Sequence, residues 1–440
     1  MRLIKLLASG ICLSILVACQ GAGSSHSTVP TPAAVWYIQA GTVQDDQAVA
    51  TAVDASGNIF VLIQTRGAWD GAASYGGVDA ALIKYTASGQ RLWTAQTGTA
   101  NDDFANAMVM TADAIYIAGY TTVATGNTDI FVAKYSFAGQ KAWLKTVGTA
   151  KLEEAWGIAA DASGIYIAGM TNGDINVVGS GIYNDNVADV LVVKMDTAGN
   201  VGWMYQGGST LYDRANAIVV NSSGVFVAGY TFGNYASTNA GDRDAILTRL
   251  ELNGAHVWSK QFGGSQFDVA RAISGSETAI YVAGQTSNGL SGANAGGTCK
   301  DDSTLVDITC RDIVVVAFDL NGQQQWIYQT GSAADDRAFA LSLAGGALYV
   351  GGFAGGALDG QAHQGAADMI TIKMAIDGTL QWARMRGTAS SIVNDEVHAI
   401  TVVGDEVFVA GWSDGNLEGH ASIGGIDAFV FKYSAMGSTF

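Results

Sequence analysis

The sequence predicts an all-β protein, a seven-bladed β-propeller of four-stranded antiparallel blades. Three observations carry this: a unit that recurs seven times, four short strand-like runs in each unit, and chain ends that complete one another. Seven tryptophans mark the units, Trp36, Trp93, Trp143, Trp203, Trp258, Trp326 and Trp382. Ten residues after each of the first six stands an acid, Asp46, Asp103, Glu153, Asp213, Asp268 and Asp336; in the seventh unit Asp395 follows after thirteen. A fixed period of this size marks a repeat architecture before any local feature is weighed.

Each element of the unit has its own signal. Sixteen residues past the acid a Gly ends an apolar run, at Gly119, Gly169, Gly229, Gly284, Gly352 and Gly411; the first unit departs, with Ile63 at spacing seventeen. After a variable gap an Asp opens the next run in all seven units: Asp79, Asp129, Asp189, Asp244, Asp312, Asp368 and Asp427. Five residues on stands a basic residue, Lys84, Lys134, Lys194, Arg249, Lys373 and Lys432, with Ala317 the exception; five further is Gly, and the next Trp lies four beyond it. The runs are rich in Val, Ile, Tyr and Trp and are cut by turns such as "DASGN" and "TASGQ", so about 58 residues per unit supply four strands and their loops. No 11-residue stretch sustains helical periodicity. Four-stranded units repeated in a ring make a propeller. The chain stops just before the Trp that would open an eighth unit, so the last unit lacks its outer strand. "AVWYIQAG" around Trp36 is the surplus strand that would supply it and close the ring.

Composition agrees. The 57 Gly among 440 residues are nearly twice the usual share of about 7%, and both prolines, Pro30 and Pro32, lie outside the repeat. A net charge of −17 argues against nucleic acid and anionic lipid surfaces as partners, because phosphate is bound through Lys and Arg.

The start, "MRLIKLLASGICLSILVACQGAGSS", pairs Arg2 and Lys5 with an apolar run from Leu6 to Ala18, the pattern of an export signal. "LVAC" resembles the lipobox of bacterial lipoproteins, which implies cleavage after residue 18 and a lipid on Cys19. Residues 19–34 then form a flexible tether and 35–440 the propeller. In a Gram-negative host, Gln20 after the Cys implies the outer membrane, with the lipid as the sole membrane contact and the protein a monomer. Cys299 and Cys310 share one loop of an exported chain, where a disulfide is the default and a metal pair the alternative.

The pattern D-x-A-x-A-[VIL], G-x-[IV]-[YF]-[VI]-A-G-x-T, D-[AIV]-x4-[KR], G-x3-W resembles the bacterial SBBP family, the seven-bladed β-propeller repeat, over residues 35–440. That resemblance implies exported scaffold proteins without a shared catalytic set.

In a four-stranded meander, the connection into each unit and the loop between second and third strands share one face. That loop spans 16, 10, 20, 15, 28, 16 and 16 residues, so nearly all length variation gathers there and the face is expected to carry function. The acids Asp46, Asp103, Glu153, Asp213, Asp268, Asp336 and Asp395 are read two ways. They could ring the channel mouth and hold Ca²⁺ or a cationic ligand. Their strand parity with the following alanines favours a structural role instead, facing the seam between blades and accepting hydrogen bonds. The tryptophans are expected to pack between blades. The basic residues lie too far from their Asp to pair with it and are expected to snorkel at the opposite rim.

Two non-repeating groups are the further site candidates. His363 and His420, in long loops of adjacent units, could join Asp359 and Glu418 in a metal or acid–base site. The loop aromatics Trp69, Tyr75, Tyr183, Phe232, Tyr235 and Trp412 could form a platform for sugar or protein. The chain carries none of the G-x-S-x-G, H-E-x-x-H or phosphate-loop motifs. The expected function is therefore non-catalytic binding of a protein or glycan. The alternatives are a Ca²⁺-stabilised surface protein and a propeller enzyme, either a lyase, a hydrolase or a dehydrogenase of the quinoprotein kind, whose tryptophan-docking repeat is similar to "DTAGNVGW".

Overall fold

In a computed structural model, residues 36–69, 74–175, 187–287, 289–291, 294–300, 307–390 and 392–435 are described. They form seven four-stranded antiparallel sheets and one two-stranded hairpin. Blade 1 comprises Asp46–Val53, Ile59–Thr65, Asp79–Tyr85 and Arg91–Thr97, and each later blade repeats this meander from its acid. Blade 7 takes its outer strand from the other end of the chain. Trp36–Ala40 pairs with Asp427–Ser434, from Trp36 opposite Lys432 to Ala40 opposite Ala428. Every inner strand packs against the next, and that of blade 7 against that of blade 1, which closes the ring. The hairpin, Thr298–Lys300 with Asp307–Thr309, lies in the long loop of blade 5, where Cys299 and Cys310 form a disulfide. The export signal, Cys19 and the tether lie outside the described residues.

The recurring Gly of the second strand has a steric cause. All seven inner strands carry a β-bulge two residues after the acid, as between Ala215 and Ala217. The bulge turns the carbonyl of the residue after the acid toward the second strand. A Cβ on Gly284 would run into the Val269 oxygen, and one on Gly229 into that of Arg214. Blade 1 departs through its turn. Asp54 to Asn58 is a longer connection than the two-residue turns of other blades, and the extra residue keeps Ala48 opposite Ile63 despite the altered spacing.

Away from its channel end each blade seam is apolar, and one cross-strand ladder repeats through it. An aromatic residue of the second strand, the basic residue of the third and the tryptophan of the fourth stand side by side, as in Phe60, Lys84 and Trp93. The cation lies 4.1–5.7 Å from the centre of the aromatic ring in all six blades that have one. The expectation that these cations snorkel into water is therefore corrected. Lys84 pairs with Asp54 at 3.2 Å, Lys194 with Asp161 at 3.9 Å, and Lys432 with Glu406, all from the turn joining first to second strand of their own blade. Arg249 donates instead to the Leu320 and Ser223 carbonyls and Lys373 to that of Ala435, so the cation at that rim is held between a ring and an acceptor rather than released to solvent.

The tryptophan docks on the following blade. The Trp203 indole N–H donates to the Leu252 carbonyl at 3.0 Å and its ring lies on Gly254 of the same turn; Trp36 does the same to Ala87 and Gly89 of blade 1. Gly254 has φ +91° and would place a Cβ 2.8 Å from the Trp203 ring, whereas Gly346, at φ +73°, would meet nothing. Both positions bear the strain of positive φ, about 1–3 kcal/mol for a non-glycine residue. Gly254→Ala is therefore expected to lower the denaturant midpoint clearly more than Gly346→Ala. Equal shifts would remove the docking contact from the account.

Candidate functional site

The seven inner-strand acids begin the construction of the channel face. Asp46, Glu153, Asp213, Asp336 and Asp395 are fully buried, and Asp103 and Asp268 are 4% and 1% exposed. Each accepts a backbone N–H from the connection leading into its blade, at 2.5–2.7 Å: Thr42, Thr99, Thr149, Ser209, Gly264, Ser332 and Thr388 in turn. Of the two readings of these acids, this geometry is that of the structural one, which their strand parity favours. Strand parity turns the acids into the seams, where their oxygens are committed to the connection. Among the described residues no three His, Cys, Asp or Glu side chains converge as a metal shell.

A second carboxyl stands beside each. The Asp opening the third strand of the preceding blade reaches the same connection, and in five blades a glutamine three residues after the tryptophan holds it, as Gln206 holds Asp189 at 2.8 Å. Its other oxygen, at Asp79, Asp129, Asp189, Asp244 and Asp312, has no hydrogen-bond partner and lies where a glycine of the connection leaves room, Gly208 in the case of Asp189. Burial pushes Asp189, Asp213 and Asp395 up to about 6 and Asp268 and Asp336 up to about 7, with the neighbouring carboxyl adding to the last four.

The opposite parity of the inner strands makes the mouth itself. The residue after the acid and the bulged residue two further on face the axis, and they differ from blade to blade. Together they form a belt with four chemically distinct stretches. In blades 1 and 2 it is rich in amides. Gln64 donates to the Ala105 carbonyl and to Asn106, Asn106 donates to the Ala155 carbonyl, and Gln47, Gln64 and Phe104 line a cleft of about 160 Å³. In blade 3 the Trp156 indole donates to Glu154 at 3.1 Å, and burial raises that carboxyl against the pull of Arg214. From blade 4 to blade 6 the belt carries Arg214, Arg271 and Arg337, with Arg243 and Arg311 behind them. Blade 7 closes it with His398, which lies 2.9 Å from Glu396, stacks on Phe339 at 4.5 Å and receives the Trp412 N–H at 3.1 Å.

The loop residues picked from the sequence each have their own surroundings. Glu418 pairs with Arg386, His420 packs on Tyr37 at 4.8 Å, and Asp359 sits in a turn at φ +48°. His363 Nε2 is buried without a hydrogen-bond partner. Trp69 is 4% exposed, its indole held by Asp46 at 3.3 Å, so it belongs to the core and not to a surface platform. Tyr235 is bonded from Thr248, while Tyr75 is 54% exposed. Phe232 and Trp412 do reach the belt, beside Arg243 and His398. Tyr183 lies outside the described residues. The belt residues escaped the sequence reading because they alternate with the repeated Asp and Ala. The signal was present as the two positions of a strict motif that vary from unit to unit.

The raised seam acids set the pH response. An acid whose pKa is higher folded than unfolded binds its proton more tightly when folded, so stability is lost as pH rises from about 4 to about 7. Acids held low by hydrogen bonds, such as Asp54 and Asp161, act below that window. The melting temperature is expected to be higher at pH 5 than at pH 8, and Asp268→Asn with Asp336→Asn to flatten the difference. A melting temperature that climbs between pH 5 and pH 8 would contradict the burial of these pairs.

No family model matches the chain. Its sequence is similar to the regulatory protein FlaEY of Caulobacter vibrioides, 24% identical over 297 residues; the match takes in 60% of this chain and 30% of that protein. Among solved structures it is similar to the phage phi92 endosialidase, at 10% identity and TM-score 0.49, covering 90% of this chain and 68% of that one. It is also similar to the periplasmic gluconolactonase of Pseudomonas aeruginosa, at 12% identity and TM-score 0.42, covering 88% and 98%.

Proposed function

We propose that this chain is an SBBP-type propeller that recognises a glycan at the mouth of its axial channel without turning it over. The carrying observation is the belt, a chemically varied surface inside a unit otherwise repeated seven times. Aromatic faces at Phe104, Trp156 and Trp412 suit the apolar faces of sugar rings, and amides at Gln47, Gln64 and Asn106 suit hydroxyls. The whole protein applied to glycan and protein arrays is expected to capture glycans, and Trp156→Ala to reduce capture about tenfold or more while melting normally. Capture of proteins alone, or capture indifferent to the belt, would overturn the reading.

A second reading, catalysis at the same mouth, has one observation in its favour. His398 and the Glu396 carboxylate stand 2.9 Å apart at the mouth, a pair of side-chain types that acid–base catalysis uses, with the Trp412 N–H on the same imidazole nitrogen. New reducing ends or unsaturated products from a captured glycan, abolished by His398→Ala, would replace the first reading with this one.

We propose further that residues 1–18 direct export and that Cys19 carries the lipid anchoring the propeller to the cell envelope, at the outer membrane in a Gram-negative host. Cys19→Ser is expected to abolish incorporation of labelled fatty acid and release the protein from the membrane fraction. Unchanged labelling would refute the anchor. Calcium remains a separate proposal, tested by melting with Ca²⁺ against chelator.

A further inference from the structure

The protein carries 39 acidic and 22 basic residues, yet one arc of its channel mouth is built from arginine. Arg214, Arg271 and Arg337 occupy belt positions of blades 4, 5 and 6, and Arg243 and Arg311 stand just before the third strands of blades 4 and 5. All five are arginines, although lysine is as frequent in the chain. Six further cations of the repeat lie on aromatic rings at the far rim, so this is a separate population with a separate cause.

Carboxylates serve the edges of the arc but not its centre, and Glu154 stands within the field of Arg214. Asp335 serves two guanidiniums, Arg311 at 3.1 Å and Arg337 through its Nε at 2.7 Å, and Asp242 lies 3.9 Å from Arg243. Arg214 bonds to Asn216 at 2.8 Å and covers the Trp156 ring at 3.9 Å. Arg271, central in the arc, has neither a hydrogen bond nor an ion pair among the described residues; its Nε is buried and unpartnered, and its guanidinium lies 5.9 Å from the Phe339 ring centre. Arg214, Arg337 and Arg243 all act on it with like charge. Packing does not require this arrangement, which costs both desolvation and repulsion. An anion placed among the three guanidiniums would relieve both.

We propose that Arg214, Arg271 and Arg337 form an anion subsite of the channel mouth, and that it takes the negatively charged group of an acidic sugar. The inference rests on the glycan reading above and adds the charge of the ligand. The planar guanidinium fork matches a carboxylate or a sulfate ester in two parallel hydrogen bonds. Trp156 under Arg214 and Phe339 beside Arg271 give a sugar ring apolar surface next to the guanidiniums. Burial and the surrounding guanidiniums push Arg271 down to about 9, the strain of a cation held without its counter-ion. A long acidic polymer meets a protein of net charge −17, so encounter is slowed and the site selects by geometry at close range rather than by attraction from afar.

The test uses the full chain in calorimetric titration with three oligosaccharides of equal length, one bearing uronate carboxylates, one bearing sulfate esters and one neutral. The charged ligands are expected to bind at least about tenfold more tightly than the neutral one, with the tighter of the two identifying the group recognised. Arg271→Gln is expected to erase that preference, and Arg271→Lys, which keeps charge but loses the fork, to restore only part of it. Melting curves accompany both variants. Should Arg271→Gln fail to fold, Arg214→Gln reads the same preference from the edge of the arc. Equal binding of neutral and charged ligands, weakened by Trp156→Ala, would overturn the anion subsite and leave the glycan reading intact. An undiminished charge preference in the arginine variants would place the anion elsewhere and overturn it as well. Binding of none of the three overturns the subsite, and an empty glycan array with it overturns both.

Discussion

The structure depends on one repeated contact, the carboxylate of the first inner-strand residue accepting the backbone N–H of the connection that enters its blade. That connection carries the chain from the outer edge of one sheet to the axis of the next, and it would otherwise bring unpaired amides into a buried seam. With Asp46, Asp213 or Asp336 in place, the crossing is tied to the strand it feeds. The neighbouring Asp of the preceding blade presses on the same crossing from the other side, and the small residue there, Gly208 between Asp189 and Asp213, is what lets two carboxyls converge on it. Each seam is thus joined by polar groups at the channel end and by a tryptophan on a glycine turn at the outer edge.

Function follows from the parity this contact imposes. Turning the acid and its alanine into the seam leaves the intervening residue and the bulged one facing the axis. Seven blades therefore offer fourteen such positions, two on each inner strand; some, such as Val269 and Asn216, are buried or bonded to the next blade, and the others vary more freely. Amides occupy one arc, arginines another, and a histidine with its carboxylate a third. In a chain of strongly negative charge, three guanidiniums brought together at one rim stand against the trend of the whole molecule.

Much of the fold was legible in the sequence because the repeat samples each position seven times. The acid, the bulge glycine, the tryptophan and the strand donated from the N-terminal side could each be counted, and the ring closes as the pairing of Trp36 with Lys432 requires. The basic residue was placed at the right rim and given the wrong surroundings, since spacing along one strand excludes a partner Asp but reveals nothing of Phe60 on the strand beside it. The site was less legible. Loop length drew attention to His363 and His420, and so away from the axis-facing residues of the inner strands. The arginines, separated by about 60 residues each, become neighbours only when the ring is closed. One repeated signal, the glutamine three residues after the tryptophan, holds the seam carboxyls and was there to be counted.

Native-state hydrogen exchange at the connections tests the central contact most directly. The amides of Thr42, Thr99, Thr149, Ser209 and Ser332 belong to short irregular segments, which ordinarily exchange by local fluctuation. Held by buried carboxylates, they are expected to exchange only with the unfolding of the blades themselves, as slowly as the amides of the second strands. Fast exchange at these five positions, with the strands still protected, would show that the carboxylates do not hold the seams.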